Sequence, residues 1–383
     1  MTFKNINVNN LVIPEVRVAT GLYTHWDSVV KFNQDILEWI KRAYKEEPKG
    51  LVLKSIEEVA YTISEAVKNG GKEFLVTEDV YNRLNQFFLK RETRIGGNGF
   101  NMGNMLLLTG LTPVVSYPSR SKKLTEVSPK FDIVIGDKLE KPKKSTRLAD
   151  PDYDHIIIEL ENSRQILSWD PIASQGLFDY EFLKYATNSD NIDLLLLSYA
   201  HMLLPEYKKK TDDIIEKLRD NRPKVHLEFG SGSKESMDYA MKKFSENKSC
   251  ESWGMDEVEC KTHLGAKSYE KDDMKEAVLN AIKEYNVDRI CIHTPDFAFV
   301  VSKHEMAVEY RALITANLFA AARTFGKINL ELAKQLPTTF EAEKEKIGEY
   351  NYCLVPCLIN KFPKILTGIG DSFAAIQTVK ALG

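Results

Sequence analysis

The sequence predicts an α/β protein made of a large part and a smaller one. Three observations predict it. The chain has 383 residues, which is long for one compact core. Short apolar stretches with the period of strands alternate with longer stretches whose apolar residues recur every three and four positions. The strand-like stretches at 112–117, 131–135 and 155–160 stand apart from the later helices, and a basic loop at 138–147 joins the last two. Such strands suit a small sheet that covers a cleft.

Composition narrows the function. Hydrophobic residues are 43% and charged residues 28%, as in ordinary soluble domains. The net charge of −3 argues against a broad nucleic-acid surface. The basic clusters at 120–123 and 138–147 read as solvated loops. The longest apolar run, 192–200, is too short to span a bilayer and carries Asp193 and Ser198. The first residues, Met1 to Asn5, lack the apolar core of a signal peptide. Five cysteines without a zinc spacing predict reduced thiols in a cytoplasmic protein. Neither a membrane nor a nucleic acid is expected as partner.

Along the chain, 12–20 alternates as a strand, and Asp27 follows its end. Strand ends are where open α/β sheets place ligand groups, although a helix cap would also use an aspartate there. Residues 28–95 read as mostly helical, with apolar spacing of three and four at 29–44, 56–68 and 77–90. Arg94-Ile95-Gly96-Gly97-Asn98-Gly99-Phe100 comes next, before a helix at 101–109. Gly97 and its neighbours let the backbone approach a ligand, and the Asn98 amide can bond hydroxyls. The same residues also make a plain turn.

A buried strand is expected at 192–199 and an exposed helix at 206–218. In Val225-His226-Leu227-Glu228-Phe229, strand geometry puts His226 and Glu228 on one face. A carboxylate there, before Gly230-Ser231-Gly232-Ser233, suits a metal-bound water beside phosphates, or a polar pair at a sheet edge. Asp256 and Glu259 are three apart, on one helix face if the segment is helical. Two such carboxylates suit hydrated Mg²⁺, and equally a solvated acidic helix start. A strand at 287–293, a second at 297–302 and a long helix at 304–327 follow.

Near the end stands Leu366-Thr367-Gly368-Ile369-Gly370-Asp371-Ser372. Gly368 and Gly370 allow a tight turn, and a helix is expected to begin at Asp371. A helix opening after glycines presents free N–H groups at one spot, an anion site. Asp371 beside it is either a base for a hydroxyl proton or the cap of its own helix. No Walker A lysine pattern and no dinucleotide glycine fingerprint occurs.

The ordered set of these motifs resembles one family across nearly the whole chain. Asp27, Arg94 to Gly99, His155-Ile156-Ile157-Ile158-Glu159, His226-Leu227-Glu228, Gly254 to Glu259, His293-Thr294, Val355-Pro356 and Gly368 to Asp371 are similar to the ADP-dependent sugar kinases, the glucokinases and phosphofructokinases of the ribokinase-like superfamily. The resemblance implies a three-layer α/β/α large domain with a smaller α+β lid. The large domain is expected at 1–27, 96–118 and 192–383, and the lid at 28–95 and 119–191. It implies Asp371 as base and Gly368 to Gly370 as anion hole. Asp27, Gly97, Asn98 and Glu92 would meet the sugar. His293, Val355 and Ile369 would meet the nucleotide, and Glu228, Glu259 and Asp256 the Mg²⁺.

ADP would be the donor and a hexose the acceptor, in a monomer or small homo-oligomer. An ATP-using relative and a silent binding protein are the alternatives. His25 and Asp256 stand where the family usually has asparagine. The family's Asn-Arg segment has only Asn162-Ser163-Arg164 as counterpart. Glu92 favours an unphosphorylated hexose, since a carboxylate repels a phosphate ester. Arg120, Lys122, Lys123 and Arg164 are the cations that would suit fructose 6-phosphate.

Overall fold

Among the described residues two mixed sheets carry the fold, one of nine strands and one of six, beside a two-stranded hairpin. The computed structural model describes residues 3–50, 52–161, 163–170, 176–198, 206–230, 232–365 and 367–383. Expectations for Asn162, Tyr199, Ser231 and Leu366 lie outside them.

Across the large sheet run Glu343–Ile347, Tyr350–Pro356, Phe297–Ser302, Arg289–His293, Ser252–Asp256, Lys224–Glu228, Leu194–Ser198, Val18–Gly21 and Val114–Val115. The strands from Arg289–His293 to Val114–Val115 are parallel, and the other three pair antiparallel. Parallel strands are covered on both faces, so their side chains divide between two cores. Leu195 and Leu197 pack under helices Tyr207–Lys217, Lys234–Glu246 and Lys271–Glu284. Leu194 and Leu196 pack under Asn98–Leu108, Met306–Arg323 and Ile369–Leu382. This is the expected three-layer α/β/α arrangement. No helix among the described residues is long and apolar enough to cross a membrane.

The smaller sheet runs Val52–Leu53, Glu73–Val76, Arg164–Ser168, Asp154–Glu159, His25–Lys31 and Glu92–Gly96. It corrects the mostly helical reading of 28–95: three helices remain, Gln34–Arg42, Ile56–Asn69 and Glu78–Phe87, with strands between them. Val29 and Val30 are the reason at 25–31. They are β-branched and buried, and the strand lies between the parallel Asp154–Glu159 and the antiparallel Glu92–Gly96. The chain leaves the large sheet at Gly21 and joins the small one at His25, so Asp27 belongs to the small sheet. Helix Tyr180–Ala186 packs in the large sheet's core, because Phe182, Leu183 and Ala186 are its apolar face.

Candidate active site

The carboxyl ends of the parallel strands carry Glu228, Asp256 and His293. Open α/β sheets keep their ligand crevice there. Beside that edge two helix N-termini meet. Helix Asn98–Leu108 starts after Gly97, at φ 78°, and helix Ile369–Leu382 after Gly368, at φ 65°. Both φ values lie in the left-handed region that glycine tolerates. Neither start has a side-chain cap. A Cβ on Gly368 would lie 2.3 Å from Asn101 Cγ, and one on Gly97 2.6 Å from the Tyr23 carbonyl oxygen.

Asp371 is therefore the third residue of its helix, which opens two residues earlier than the sequence suggests, and it caps nothing. Its Oδ1 accepts from Asn98 Nδ2 at 2.9 Å, which ties the two helix starts together. Ser372 N–H makes the first bond back to the Gly368 carbonyl, at 3.1 Å. The N–H groups of Ile369, Gly370 and Asp371 precede it and have no partner within the helix. Burial first, then the charge of Glu228, pushes the Asp371 carboxyl above its ordinary value, against the pull of Arg323, His293 and Asn98.

Buried Arg323 holds this corner. It donates to Ser372 Oγ at 2.5 Å and to Asn101 Oδ1 at 2.8 Å, and Ser372 Oγ donates to the Gly368 carbonyl at 2.6 Å. Sequence reasoning missed Arg323 and Asn101. The signal available was an arginine at the end of an otherwise apolar stretch, Leu318-Phe319-Ala320-Ala321-Ala322-Arg323.

His226 and Glu228 share a face as expected, but on a central strand rather than at a sheet edge. Glu228 Oε2 pairs with His226 Nε2 at 3.0 Å, and Oε1 with His293 Nε2 at 2.7 Å. Burial opposes the charge on Glu228, yet the two imidazoles hold it down to about 2. Burial likewise opposes the charge on His293, but Glu228 lifts it to about 9, so it is an imidazolium at neutral pH. Its ring lies 3.0 Å from where a Gly370 Cβ would stand. That cation thus adjoins the open N–H groups. A Cβ on Gly254 would sit 1.9 Å from Glu228 Oε2, so only glycine leaves room for this carboxylate.

Asp256 and Glu259 form a capping box: Asp256 Oδ1 accepts from Glu259 N at 2.7 Å, and Glu259 Oε2 from Asp256 N at 2.9 Å. One oxygen of each carboxylate is left over. Burial, then Asp256, pushes the Glu259 carboxyl well above its usual range. A dication would relieve that crowding, so the pair fits hydrated Mg²⁺. Glu228 fits only through water, because a histidine occupies each oxygen.

The other expected residues fall further out. Asp27 is buried and stands against Gly96, at the near end of the glycine turn. Val355 is fully buried in the core, so its side chain offers no exposed surface. Ile369 is half-buried at the start of the terminal helix. Glu92 lies on the small sheet in a cleft of about 950 Å³, with Lys31, Arg94, Glu159, Arg323, Lys327 and Lys364, and the cleft reaches Thr367. It is not a free charge, because Arg94 grips it at 2.7 and 2.9 Å and holds Glu159 at 2.7 Å.

Residues 16–380 match the conserved region of the ADP-specific phosphofructokinases and glucokinases. The chain belongs to that family. It is an ADP-dependent sugar kinase, a phosphotransferase with an alcohol as acceptor. An ADP-dependent glucose/glucosamine kinase of Pyrococcus furiosus is 26% identical, over 95% of this chain and 94% of that one. A phosphofructokinase of Pyrococcus horikoshii solved with AMP superposes with a TM-score of 0.77 at 16% identity, covering 97% of this chain and 98% of the other. An ADP-dependent kinase solved with fructose 6-phosphate and ADPβS gives 0.77 at 18% identity, covering 98% and 95%. At these identities the structural likeness establishes the ribokinase-like fold. The kinase's donor class comes from the family.

Proposed function

We propose that the chain transfers the β-phosphoryl group of ADP to a hydroxyl of a phosphorylated hexose and releases AMP, with Asp371 as general base. One observation carries the reading. The Asn98–Asp371 hydrogen bond sets a carboxylate of raised proton affinity beside the uncapped start of the terminal helix and the His293 imidazolium. In the reaction the sugar oxygen bonds to phosphorus, its proton passes to Asp371, and AMP leaves with the electrons of the broken P–O bond. Phosphoryl transfer needs mainly positioning and charge stabilisation. The N–H groups of Ile369 to Asp371 and His293 provide the positive field for the moving phosphoryl. Mg²⁺ held near Asp256 and Glu259 would neutralise donor phosphate charge.

The acceptor follows from the cleft. Its lining holds five cations, Lys31, Arg94, Arg323, Lys327 and Lys364, against two carboxylates, Glu92 and Glu159. Because Arg94 already neutralises Glu92, the lining supports an anionic sugar. This reverses the preference for a neutral hexose that Glu92 suggests in isolation. The test is a coupled assay of AMP formation from ADP, with ATP as alternative donor, over glucose, glucosamine and fructose 6-phosphate. The reading expects ADP and a sugar phosphate to give the highest kcat/KM. Lys364→Glu should then raise KM for the sugar phosphate alone. Donor consumption with no acceptor, or turnover only with ATP, refutes it.

A further inference from the structure

We propose that His25, Asp27 and His155 form a binding site for a divalent transition ion of the Zn²⁺ type, separate from the oxygen-ligand site for Mg²⁺. The strand pairing creates it. Asp27 and His155 are register partners in adjacent parallel strands, and His25 lies two residues before Asp27, on the same face. One ligand atom from each of the three lies within 4.8 Å of the others. All three are buried, at 4%, 3% and 4% exposure. Gly96 gives them room, since a Cβ there would lie 2.2 Å from Asp27 Oδ1 and 2.5 Å from His25 Cε1.

A second observation points to a missing ligand. Asp27 Oδ1 is buried without a hydrogen-bond partner. Among the described residues its one ion-pair neighbour is His25 Nδ1, at 3.3 Å, and no lysine or arginine pairs with it. A buried carboxylate oxygen left this way is costly, and a cation removes the cost. The outer residues also match a metal site. His155 Nε2 lies 3.2 Å from the Tyr23 hydroxyl and 3.8 Å from Asp170 Oδ2, and Tyr23 donates to Asp170. A carboxylate on one side of an imidazole fixes its tautomer and frees the other nitrogen for a metal.

Two imidazole nitrogens and one carboxylate oxygen suit Zn²⁺ and its neighbours rather than Mg²⁺, which wants oxygen. In a tetrahedral Zn²⁺ site, ligand atoms lie about 3.4 Å apart. His25 Nδ1 and Asp27 Oδ1 already stand at about that spacing, so binding mainly reorients the imidazoles, whose rings stack at 3.7 Å. A fourth position remains for water or a sugar hydroxyl, so an ion here would take over the sugar contact given to Asp27. The site stands independently of which sugar is phosphorylated.

The experiment uses the full chain stripped by chelator and titrated with Co²⁺, read by visible absorption. One ion per chain with intense d–d bands, undiminished by excess Mg²⁺, is the expected result. Affinity should fall at least tenfold in His25→Gln and about 10- to 100-fold in Asp170→Asn. Zinc-loaded wild-type protein examined by X-ray absorption should show imidazole scattering from two ligands, a reading that needs no variant to fold. No tight Co²⁺ binding, a weak oxygen-only spectrum lost to Mg²⁺, or zinc without imidazole scattering overturns the proposal. None of these readouts is turnover, so failure of the metal site and failure of the sugar assignment are distinguishable.

Discussion

Asp371→Asn separates base from scaffold. The asparagine carbonyl can still accept from Asn98 Nδ2, now at 2.9 Å from the carboxylate, so the tie between the two helix starts survives. What disappears is the proton acceptor. A positioned general base contributes about 100- to 10,000-fold, or about 2.7–5.5 kcal/mol at about 1.36 kcal/mol per tenfold. kcat should fall within that range, while the Kd for ADP stays within about threefold, a change of under 1 kcal/mol. Stability should move the other way. The Asp371 carboxyl binds its proton more tightly in the folded chain, because of burial and Glu228. Above that raised value the ionised group weighs against folding, so the neutral asparagine should keep or raise Tm at pH 7. The assay is coupled AMP formation, paired with calorimetry of ADP binding and thermal unfolding. A folded variant with more than a tenth of wild-type kcat refutes the base. Loss of ADP binding in parallel with kcat would instead make Asp371 a structural residue.

The Glu228–His293 pair sets a pH window. His293 is raised to about 9 by Glu228, so its contribution to stability is complete below the ordinary histidine value and is lost as pH rises through 9. Glu228, held at about 2, contributes above the ordinary glutamate value and fades as pH falls towards 2. Denaturant unfolding across pH 6 to 10 should therefore show a decline that Glu228→Gln abolishes. Gly254→Ala forces a Cβ into the 1.9 Å gap before Glu228 and should destabilise by about 1–3 kcal/mol. Chemical denaturation measures this, and an unchanged midpoint contradicts the packing. Arg323→Met leaves Asn101 Oδ1 and Ser372 Oγ without their buried donor. A loss of about 1–3 kcal/mol is expected, with kcat falling more than the Kd for ADP changes. Equal loss in both would place Arg323 outside the alignment of the terminal turn.

Where local rules dominate, the sequence was readable. The unbroken apolar run Leu194 to Leu197 marks a strand covered on two faces, and the glycines before Asn98 and Asp371 mark turns that only glycine makes easily. The order of those motifs was enough to reach the family. Residues 28–31 were misread because Val29 and Val30 fit either period, and only their neighbours across the sheet decide for a strand. The same holds at the site. That Asp371 is no cap follows from Gly368 taking the cap position, and its raised proton affinity from burial first and then from Glu228, far away in the chain. Arg323, the charge that ends the apolar stretch Leu318 to Ala322, acquires its role from Asn101 and Ser372.

The chain by itself thus determined the α/β class and the glycine turns, which rest on spacing within a few residues, and the kinase family, which rests on the order of short motifs along it. Tertiary structure decided which charges are partnered. Glu228 is sealed between two histidines, Glu92 is neutralised by Arg94, and Asp27 is left beside two imidazoles. A charge's energy depends on what is packed within a few ångströms of it, and that distance is set by folding rather than by position in the chain.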